Sequence, residues 1–177
     1  MKKYGLMLIC LAMFLVGCSE GVTPEKINGD TGGAAESQQS GNGEAQTKTE
    51  IFDIGDSVKA GELVFTVNST RTDNGNDVFK PTEGNLFYIV DVTVENTGNE
   101  SEAVSSLMMF TLFDSEGYNY TVTFGPETRG QVDGEISPGQ KLRGELVFEI
   151  PENAEGLAIE IDPTLVGSGK IRVALDR

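Results

Sequence analysis

The sequence predicts an all-β domain of about seven or eight strands, arranged as an antiparallel sandwich or barrel, from residue 51 to the C-terminus. Three observations predict it. Apolar and polar residues alternate with period two in five segments after residue 51. Turn-forming Gly, Pro, Asn and Asp separate those segments, and no segment of helical length repeats with a period of about 3.6 residues. We therefore expect each strand to turn one face to the core and one to solvent.

The alternating segments define the individual strands. Their expected core-facing residues are Leu63, Phe65 and Val67; Tyr88, Val90, Val92 and Val94; Leu142, Leu146, Phe148 and Ile150; Leu157, Ile159 and Ile161; and Ile171, Val173 and Leu175. Phe110 and Leu112 are expected on a further strand, and residues 118–124 on another. Turn chemistry at residues 96–98, 114–117 and 137–139 separates consecutive strands. These segments form one domain, residues 51–177.

The first 17 residues have the pattern of an export signal. Lys2 and Lys3 precede a nearly continuous apolar run from Tyr4 to Val16, which is too short for a stable membrane anchor of about 20 residues. The run ends in Leu15-Val16-Gly17-Cys18, which resembles the lipobox of bacterial lipoproteins. That resemblance implies cleavage before Cys18 and a diacylglyceryl and fatty acyl (palmitate-type) anchor on Cys18. The alternative is an ordinary secretion signal with an accidental cysteine.

Charge and cysteine content limit the partners and chemistry. The chain has 28 acidic and 13 basic residues, a net charge of −15. Loss of Lys2 and Lys3 with the signal leaves 28 against 11, or −17. Such a surface repels nucleic acid. Cleavage also removes Cys10 and leaves only Cys18, so no disulfide is expected and the domain depends on its apolar core.

Residues 18–50 are rich in Gly, Ser, Thr, Gln, Asn, Ala and Glu. A segment of this composition buries too little apolar surface to offset its ordering entropy. We expect a flexible acidic linker that holds the domain on the order of 30 Å from the membrane.

Several strand and turn motifs together resemble one known domain. They are the segment from Tyr88 to Gly98 (YIVDVTVENTG), Phe110–Asp114 with Gly117 and Tyr120, and Pro138-Gly139 with Gly144, Phe148 and Pro151. The chain resembles a domain of bacterial lipoproteins, described as telokin-like or similar to mycobacterial immunoprotective extracellular protein. The resemblance covers about Ile51 to Leu175 and implies an immunoglobulin-like antiparallel β-sandwich. It brings no catalytic residues, because that family has no assigned chemistry.

Catalysis is not indicated by the residue types. The sequence has no histidine, which excludes triads with a His base and imidazole metal sites, and the acylated Cys18 excludes thiolate catalysis. A carboxylate-based hydrolase would need two acids in one cleft with separated pKa values. The acidic residues lie mostly at outward strand positions or in turns, so we predict that the protein is not an enzyme.

One loop could hold a cation. Asp73, Asn74, Asn76 and Asp77 fall within residues 72–77, and calcium prefers six to eight oxygen ligands. However, Gly75 stands where an EF-hand pattern needs a ligand. The alternative is an Asn/Asp/Gly-rich turn. No cofactor is expected apart from calcium at this loop.

Two further features are candidates for partner recognition. The loop of residues 125–140 is long for a hairpin connection, and its one basic residue, Arg129, could pair with a carboxylate of a partner; the alternative is a plain surface connection. Six apolar residues stand at nominally outward positions, namely Val64, Phe87, Ile89, Met109, Phe113 and Val147. If several of them lie on one sheet, they form an exposed contact patch, with Phe113 as the candidate ligand-binding residue. The alternatives are that a loop or the linker covers them or that the strand register is shifted by one residue.

The function we expect is that of a lipid-anchored, extracytoplasmic binding or adaptor module without catalysis, which recognises an envelope protein, peptide or glycan. The alternative is a structural or envelope-stress surface protein without a discrete ligand. A carboxylate-based hydrolase is the weaker alternative.

Overall fold

The computed structural model describes residues 23–27, 50–164 and 169–176. Within them the chain forms twelve strands and one helical turn. The strands are β1 Glu25–Lys26, β2 Ile51–Phe52, β3 Ser57–Ala60, β4 Leu63–Asp73, β5 Asn85–Asn96, β6 Glu102–Val104, β7 Phe110–Phe113, β8 Asn119–Thr121, β9 Gly134–Ile136, β10 Lys141–Pro151, β11 Ala158–Ile161 and β12 Ile171–Ala174; the helical turn α1 is Ser106–Met109.

The strands form two five-stranded sheets. The first sheet has the order β1-β3-β4-β5-β10 and contains the three long strands. The second sheet has the order β2-β12-β11-β7-β8, and β6 pairs with β9 separately. All pairings are antiparallel except that of β2 with β12. We call the face of each sheet that is turned away from the core its outer face.

The core lies between the two sheets and follows from the alternation. Phe65 of β4 and Phe110 of β7 meet across it edge to face, with ring centroids 6.3 Å apart. Val90, Leu112 and Ile159 have no exposed surface. Burial of each such side chain stabilises the fold by about 1.5–3 kcal/mol, so this layer can hold the domain without disulfides.

The predicted all-β fold is confirmed, and the strand count differs for a physical reason. Six of the seven strands with four or more residues match predicted strands, namely β4, β5, β7, β10, β11 and β12; β3 was not predicted, and the other five strands have two or three residues. Segments of two or three residues contain at most one and a half periods, which is too few to establish an alternating pattern in the sequence. Among residues 118–124, only 119–121 form a strand, β8.

Part of the predicted linker is attached to the domain. Residues 25 and 26 form β1, an edge strand of the first sheet that pairs with β3. The described residues do not include the signal segment or the linker residues 18–22, with Cys18, and 28–49. The predictions made for these residues stay predictions. No helix within the described ranges has the length and apolar character that a membrane crossing requires.

Candidate functional site

The middle of β5 and β10 is buried on both faces. Phe87 and Ile89 of β5 and Val147 of β10 point to the outer face of the first sheet, yet they are only 2%, 1% and 4% exposed. They form a small cluster separate from the core. The expectation of a solvated outer face is therefore wrong at these positions. Within the crossing segment, residues 122–133, it is residues 125–127 that lie over this face: a Cβ on Gly125 would be 2.6 Å from Val147 and 3.5 Å from Phe87, and the Glu127 carbonyl accepts a hydrogen bond from Arg71 at 3.3 Å. Of the three readings of the outward apolar residues, coverage by a loop holds here.

Hydrogen bonds attach the crossing segment to the edge of β10. The Thr123 amide donates to the Val147 carbonyl at 2.8 Å, and the Glu145 amide donates to the Arg129 carbonyl at 3.1 Å. Gly130 and Gly144 form a β-bridge directly next to the second of these bonds. A Cβ on Gly144 would lie 2.6 Å from the Gln131 nitrogen, so only glycine permits this approach. This half of the long loop is therefore held as an added edge of the sheet.

A buried carboxylate joins the crossing segment to the sheet. The Glu145 side chain is 3% exposed and accepts hydrogen bonds from Arg71 Nη2 at 3.0 Å and from Arg129 Nη2 at 3.2 Å. The Arg129 amide donates to the same carboxylate at 3.0 Å. Burial opposes ionisation of Glu145, but the bonds from Arg71 and Arg129 outweigh it and lower its pKa.

A second ion pair lies beside the first on the same face. Arg143 Nε and Nη2 bind the two carboxylate oxygens of Asp91 at 3.0 and 2.7 Å. Asn68 donates to Asp91 at 3.0 Å from a bulge in β4 between Val67 and Ser69. The Arg143 hydrogen bonds lower the pKa of Asp91 in spite of burial. Arg71, Arg129 and Arg143 are three of the five arginines of the whole chain.

The two buried carboxyls lack the raised pKa that a general acid requires. Asp91 and Glu145 are direct cross-strand neighbours, so they are the pair that a hydrolase hypothesis would select. A glycosidase needs one carboxyl kept protonated by a raised pKa. Here the arginines lower the pKa of both carboxyls, and both are ionised at neutral pH. The pair therefore holds β4, β5, β10 and the crossing segment together.

A groove of about 540 Å³ opens where the crossing segment leaves the sheet. Its rim carries Phe124 and Leu107, which are 90% and 67% exposed. Val132 and Val147 supply buried apolar surface to its lining, and Thr123 and Asp133 supply polar groups. Asp133 also fixes α1, because its carboxylate accepts hydrogen bonds from the Ser106 amide and hydroxyl at 2.8 Å. The groove thus combines a fixed frame with two large apolar side chains in solvent.

The predicted calcium loop lies at the far end of the first sheet, after β4. Its polar side chains turn the backbone: Asp73 accepts from the Gly75 amide at 2.7 Å, and Asn76 accepts from the Val78 and Phe79 amides at 2.8 and 2.9 Å. Asn74 and Asp77 line an open polar cavity of about 730 Å³. Within the described part of the chain no group of three or more acidic or Cys side chains is positioned to hold a metal. Calcium binding stays a prediction.

Phe113 and Arg129 lie on opposite sides of the sandwich. Phe113 is half-buried on the outer face of the second sheet, where the Arg172 guanidinium lies 5.5 Å from its ring centroid. Arg129 is 85% exposed beside the first sheet. Met109 belongs to the core, and Val64 is buried at 6% exposure. The six outward apolar residues therefore do not form one patch, and a ligand role for Phe113 or Arg129 stays a prediction.

Sequence reasoning missed the groove and most of the ionic cluster. Leu107 and Phe124 lie outside the alternating segments, so no pattern marks them. Arg143 and Glu145 are visible as outward residues of one strand, but their partners Asp91 and Arg71 lie 52 and 74 residues away. The opposite charges of Arg143 and Glu145 could have indicated that this strand forms ion pairs. Nothing in the sequence identifies the residues with which they pair.

Comparison with known proteins gives a family and a fold. Residues 52–171 match the family described as Domain of unknown function (DUF4352). No protein with a curated description matches the sequence. The yjhA protein from Bacillus subtilis is similar in structure, with 24% identity, a TM-score of 0.56, and coverage of 71% of this chain and 100% of that chain.

Two further solved structures share the fold. An uncharacterized β-sandwich protein from Clostridium difficile 630 has 11% identity and a TM-score of 0.51, over 75% of this chain and 99% of that chain. A predicted lipoprotein (ycdA) from Bacillus subtilis has 18% identity and a TM-score of 0.54, over 64% of this chain and 36% of that chain. The predicted resemblance to a β-sandwich domain of unassigned function, found on bacterial lipoproteins, is confirmed.

Proposed function

This chain belongs to the DUF4352 family, described as a domain of unknown function, and we propose that it is a lipid-anchored, extracytoplasmic binding module without catalysis. The module receives an extended peptide segment of an envelope protein in the groove beside the first sheet. A similar β-sandwich on a predicted lipoprotein supports the envelope location, and the Leu15–Cys18 motif supports a lipid on Cys18.

The observation that carries the proposal is the groove with its exposed Phe124 and Leu107. Aromatic and aliphatic side chains that stand in solvent around a concavity are typical of contact surfaces. Here the hydrogen bonds to β10 and the Glu145 ion pairs fix the frame of the groove. A rigid frame lowers the ordering cost of binding, so these two side chains are placed to act as anchors.

Charge indicates which peptide fits. The chain carries a net charge of −15, and the exposed residues Glu127, Asp133 and Glu135 lie in or next to the segment that borders the groove. An acidic peptide would be repelled and a basic one attracted. The proposed occupant is therefore an extended segment with alternating apolar side chains and flanking Lys or Arg, and its binding weakens as salt rises.

The test uses two synthetic peptide panels with the same alternating apolar core, one flanked by lysines and one by glutamates. We expect the lysine panel to contain peptides that bind the purified protein, and Phe124→Ser and Leu107→Ser to weaken binding at least about tenfold, the loss of one anchor contact. Val78→Ser is the matched control, because Val78 is 81% exposed at the far end of the sheet. Urea unfolding of all three variants should match the unchanged protein within about 0.5 kcal/mol.

Two outcomes would contradict this function. Equal binding by the Phe124→Ser, Leu107→Ser and Val78→Ser variants places the peptide elsewhere. Absence of binding from both panels, with a cell phenotype that any tethered sandwich rescues, supports the structural or envelope-stress alternative.

The anchor has its own test. Cys18→Ala should release a folded protein from the membrane fraction or leave the signal uncleaved. Mass spectrometry of the native mature chain should find the Cys18 thiol acylated. A cleaved Ala variant that stays in the membrane fraction would contradict lipid anchoring.

A further inference from the structure

The N-terminal segment of residues 23–27 is bound along the edge of the first sheet. Glu25 pairs with Lys59 and Lys26 with Val58. The Ile27 amide donates to the Ser57 carbonyl at 2.7 Å. The Lys26 ammonium lies 2.6 Å from the Asp56 carboxylate, and this contact lowers the pKa of Asp56. β1 is thus held by backbone pairing and by an ion pair.

We propose that β1 sets the length of the membrane tether, so that the sandwich sits close to the bilayer with one defined end towards it. This rests on the proposed lipid at Cys18. Cys18 and Glu25 are seven residues apart, and seven residues span at most about 25 Å. A free linker from Cys18 to Ile51 would reach about 30 Å on average and up to about 110 Å when extended. Residues 28–49 then connect β1 to β2 without adding to the tether.

The register of the first sheet shows which end faces the membrane. Glu25 lies opposite Lys59 and Lys26 opposite Val58, so the N-terminal end of β1 points towards Ala60 and the β3–β4 hairpin at residues 61–62. The end of β5 at Asn96 and the start of β10 at Lys141 lie at this same end. We call it the proximal end.

The distal end is the opposite end of the same strands. β4 ends there at Asp73, β5 begins there at Asn85, and β10 ends there at Pro151. The 12 residues of β5 separate the two ends by about 40 Å. The polar cavity lined by residues 74–77, 80–85 and 152 therefore faces away from the membrane.

The experiment compares two insertions of the same flexible sequence in the full-length lipidated protein. About twelve Gly/Ser residues are inserted either after Ser19 or after Gly41; in the tether of seven residues they raise the average reach from about 15 Å to about 24 Å. The reporter is a fluorophore on Ser137→Cys, at the proximal end, or on Val78→Cys, at the distal end. Energy transfer to acceptor lipids in vesicles of phosphatidylglycerol and phosphatidylethanolamine reports the distance from the bilayer.

We expect transfer from position 137 to exceed transfer from position 78. The insertion after Ser19 should reduce transfer from position 137, whereas the insertion after Gly41 should leave it unchanged. Ile27→Pro removes the amide that binds Ser57 and should release β1, so that transfer falls even without an insertion. If the insertion after Gly41 reduces transfer from position 137 in the Ile27→Pro variant, that result would support the same mechanism.

Equal effects of the two insertions in the protein with Ile27 intact would overturn the docking of β1. Equal transfer from positions 137 and 78 would overturn the orientation. Detergent partitioning of the same sample distinguishes these results from a missing lipid anchor, because protein without lipid does not stay on the vesicles. Protein that leaves the vesicles would contradict the lipid on Cys18, on which the tether depends. Loss of peptide binding at the groove would affect none of these distances, so the two proposals fail independently.

Discussion

Arg71 of β4 and Glu145 of β10 are joined across the intervening strand β5 by a hydrogen bond of 3.0 Å between Nη2 and Oε2. The carboxylate is 3% exposed, whereas the side chains of Arg71 and Arg129 are 37% and 85% exposed. The carboxylate is therefore buried between two cations that keep contact with water. The Arg129 side chain and amide bind the same carboxylate, and these contacts attach the crossing segment, which forms one wall of the groove, to β10.

Glu145→Gln tests the contribution of this carboxylate. Loss of one member of a fully buried pair costs about 3–5 kcal/mol, but Arg71 and Arg129 can both be hydrated after the change. We therefore expect the lower cost of lost charged hydrogen bonds, about 1–3 kcal/mol in the free energy of unfolding. Urea unfolding at pH 7 measures it. Glu135→Gln, at an exposed position in β9, is the control and should change stability by less than about 0.5 kcal/mol.

The Glu145 carboxyl should make the free energy of unfolding depend on pH in the acid range. Its pKa in the folded protein lies below the ordinary value of 4.5, so its contribution is complete above pH 4.5 and is lost as the pH falls through the folded-state pKa. The stability difference between the unchanged protein and Glu145→Gln should therefore shrink steadily below pH 4.5. Urea unfolding midpoints from pH 7 to pH 3 give this difference. A constant difference over that range would mean that Glu145 is not stabilised as a carboxylate.

The sequence predicted burial correctly where the burial of a side chain depends only on which face of its own strand it occupies. The alternation from Tyr88 to Val94 correctly assigned the core face of β5, because the inner face of a sandwich strand needs only the opposite sheet. The predicted solvent exposure of the outer face of β5 was wrong at Phe87 and Ile89, because residues 125–127, more than 30 residues away in the sequence, lie over this face. β1 is two residues long, and its pairing depends on an available edge at β3 rather than on its own pattern. The site is built from such long-range contacts, so its residues could be recognised only in part.

Tyr120 should contribute to stability at high pH. Its hydroxyl donates to the Asp114 carboxylate at 2.7 Å, and burial together with that carboxylate raises its pKa to about 12. A raised folded-state pKa means that the contribution is complete below the ordinary value of 10 and is lost as the pH rises to about 12. Tyr120→Phe should be less stable than the unchanged protein at pH 8, and this difference should narrow between pH 10 and pH 12. Tyr118→Phe is the control, because Tyr118 is 63% exposed.

Arg172 should stabilise the second sheet by covering Phe113. Its guanidinium lies 5.5 Å from the ring centroid, and a cation–π contact at a partly exposed position contributes about 0.5–1 kcal/mol. Arg172→Ala should lower the free energy of unfolding by about that amount and expose more of the ring. If Phe113 is a contact residue, the Ala variant should bind partners at least as well as the unchanged protein, whereas Phe113→Ser should lose them without a large stability change. Parallel loss of stability and binding in Phe113→Ser would instead assign the ring to packing.

Gly144→Ala should detach the crossing segment from β10 and leave the rest of the sheet in place. The added Cβ would lie 2.6 Å from the Gln131 nitrogen and 2.8 Å from its Cα. These are backbone atoms that cannot rotate away, so the segment must move, at a cost of about 1–3 kcal/mol. Hydrogen exchange is the direct measurement. The Glu145 amide, which donates to the Arg129 carbonyl, should exchange faster, while the amides that pair β4 with β5 stay slow as an internal control. The groove should open as well, and binding of lysine-flanked peptides should fall with it. Unchanged protection at Glu145 would mean that the Gly130–Gly144 bridge is not what holds this segment.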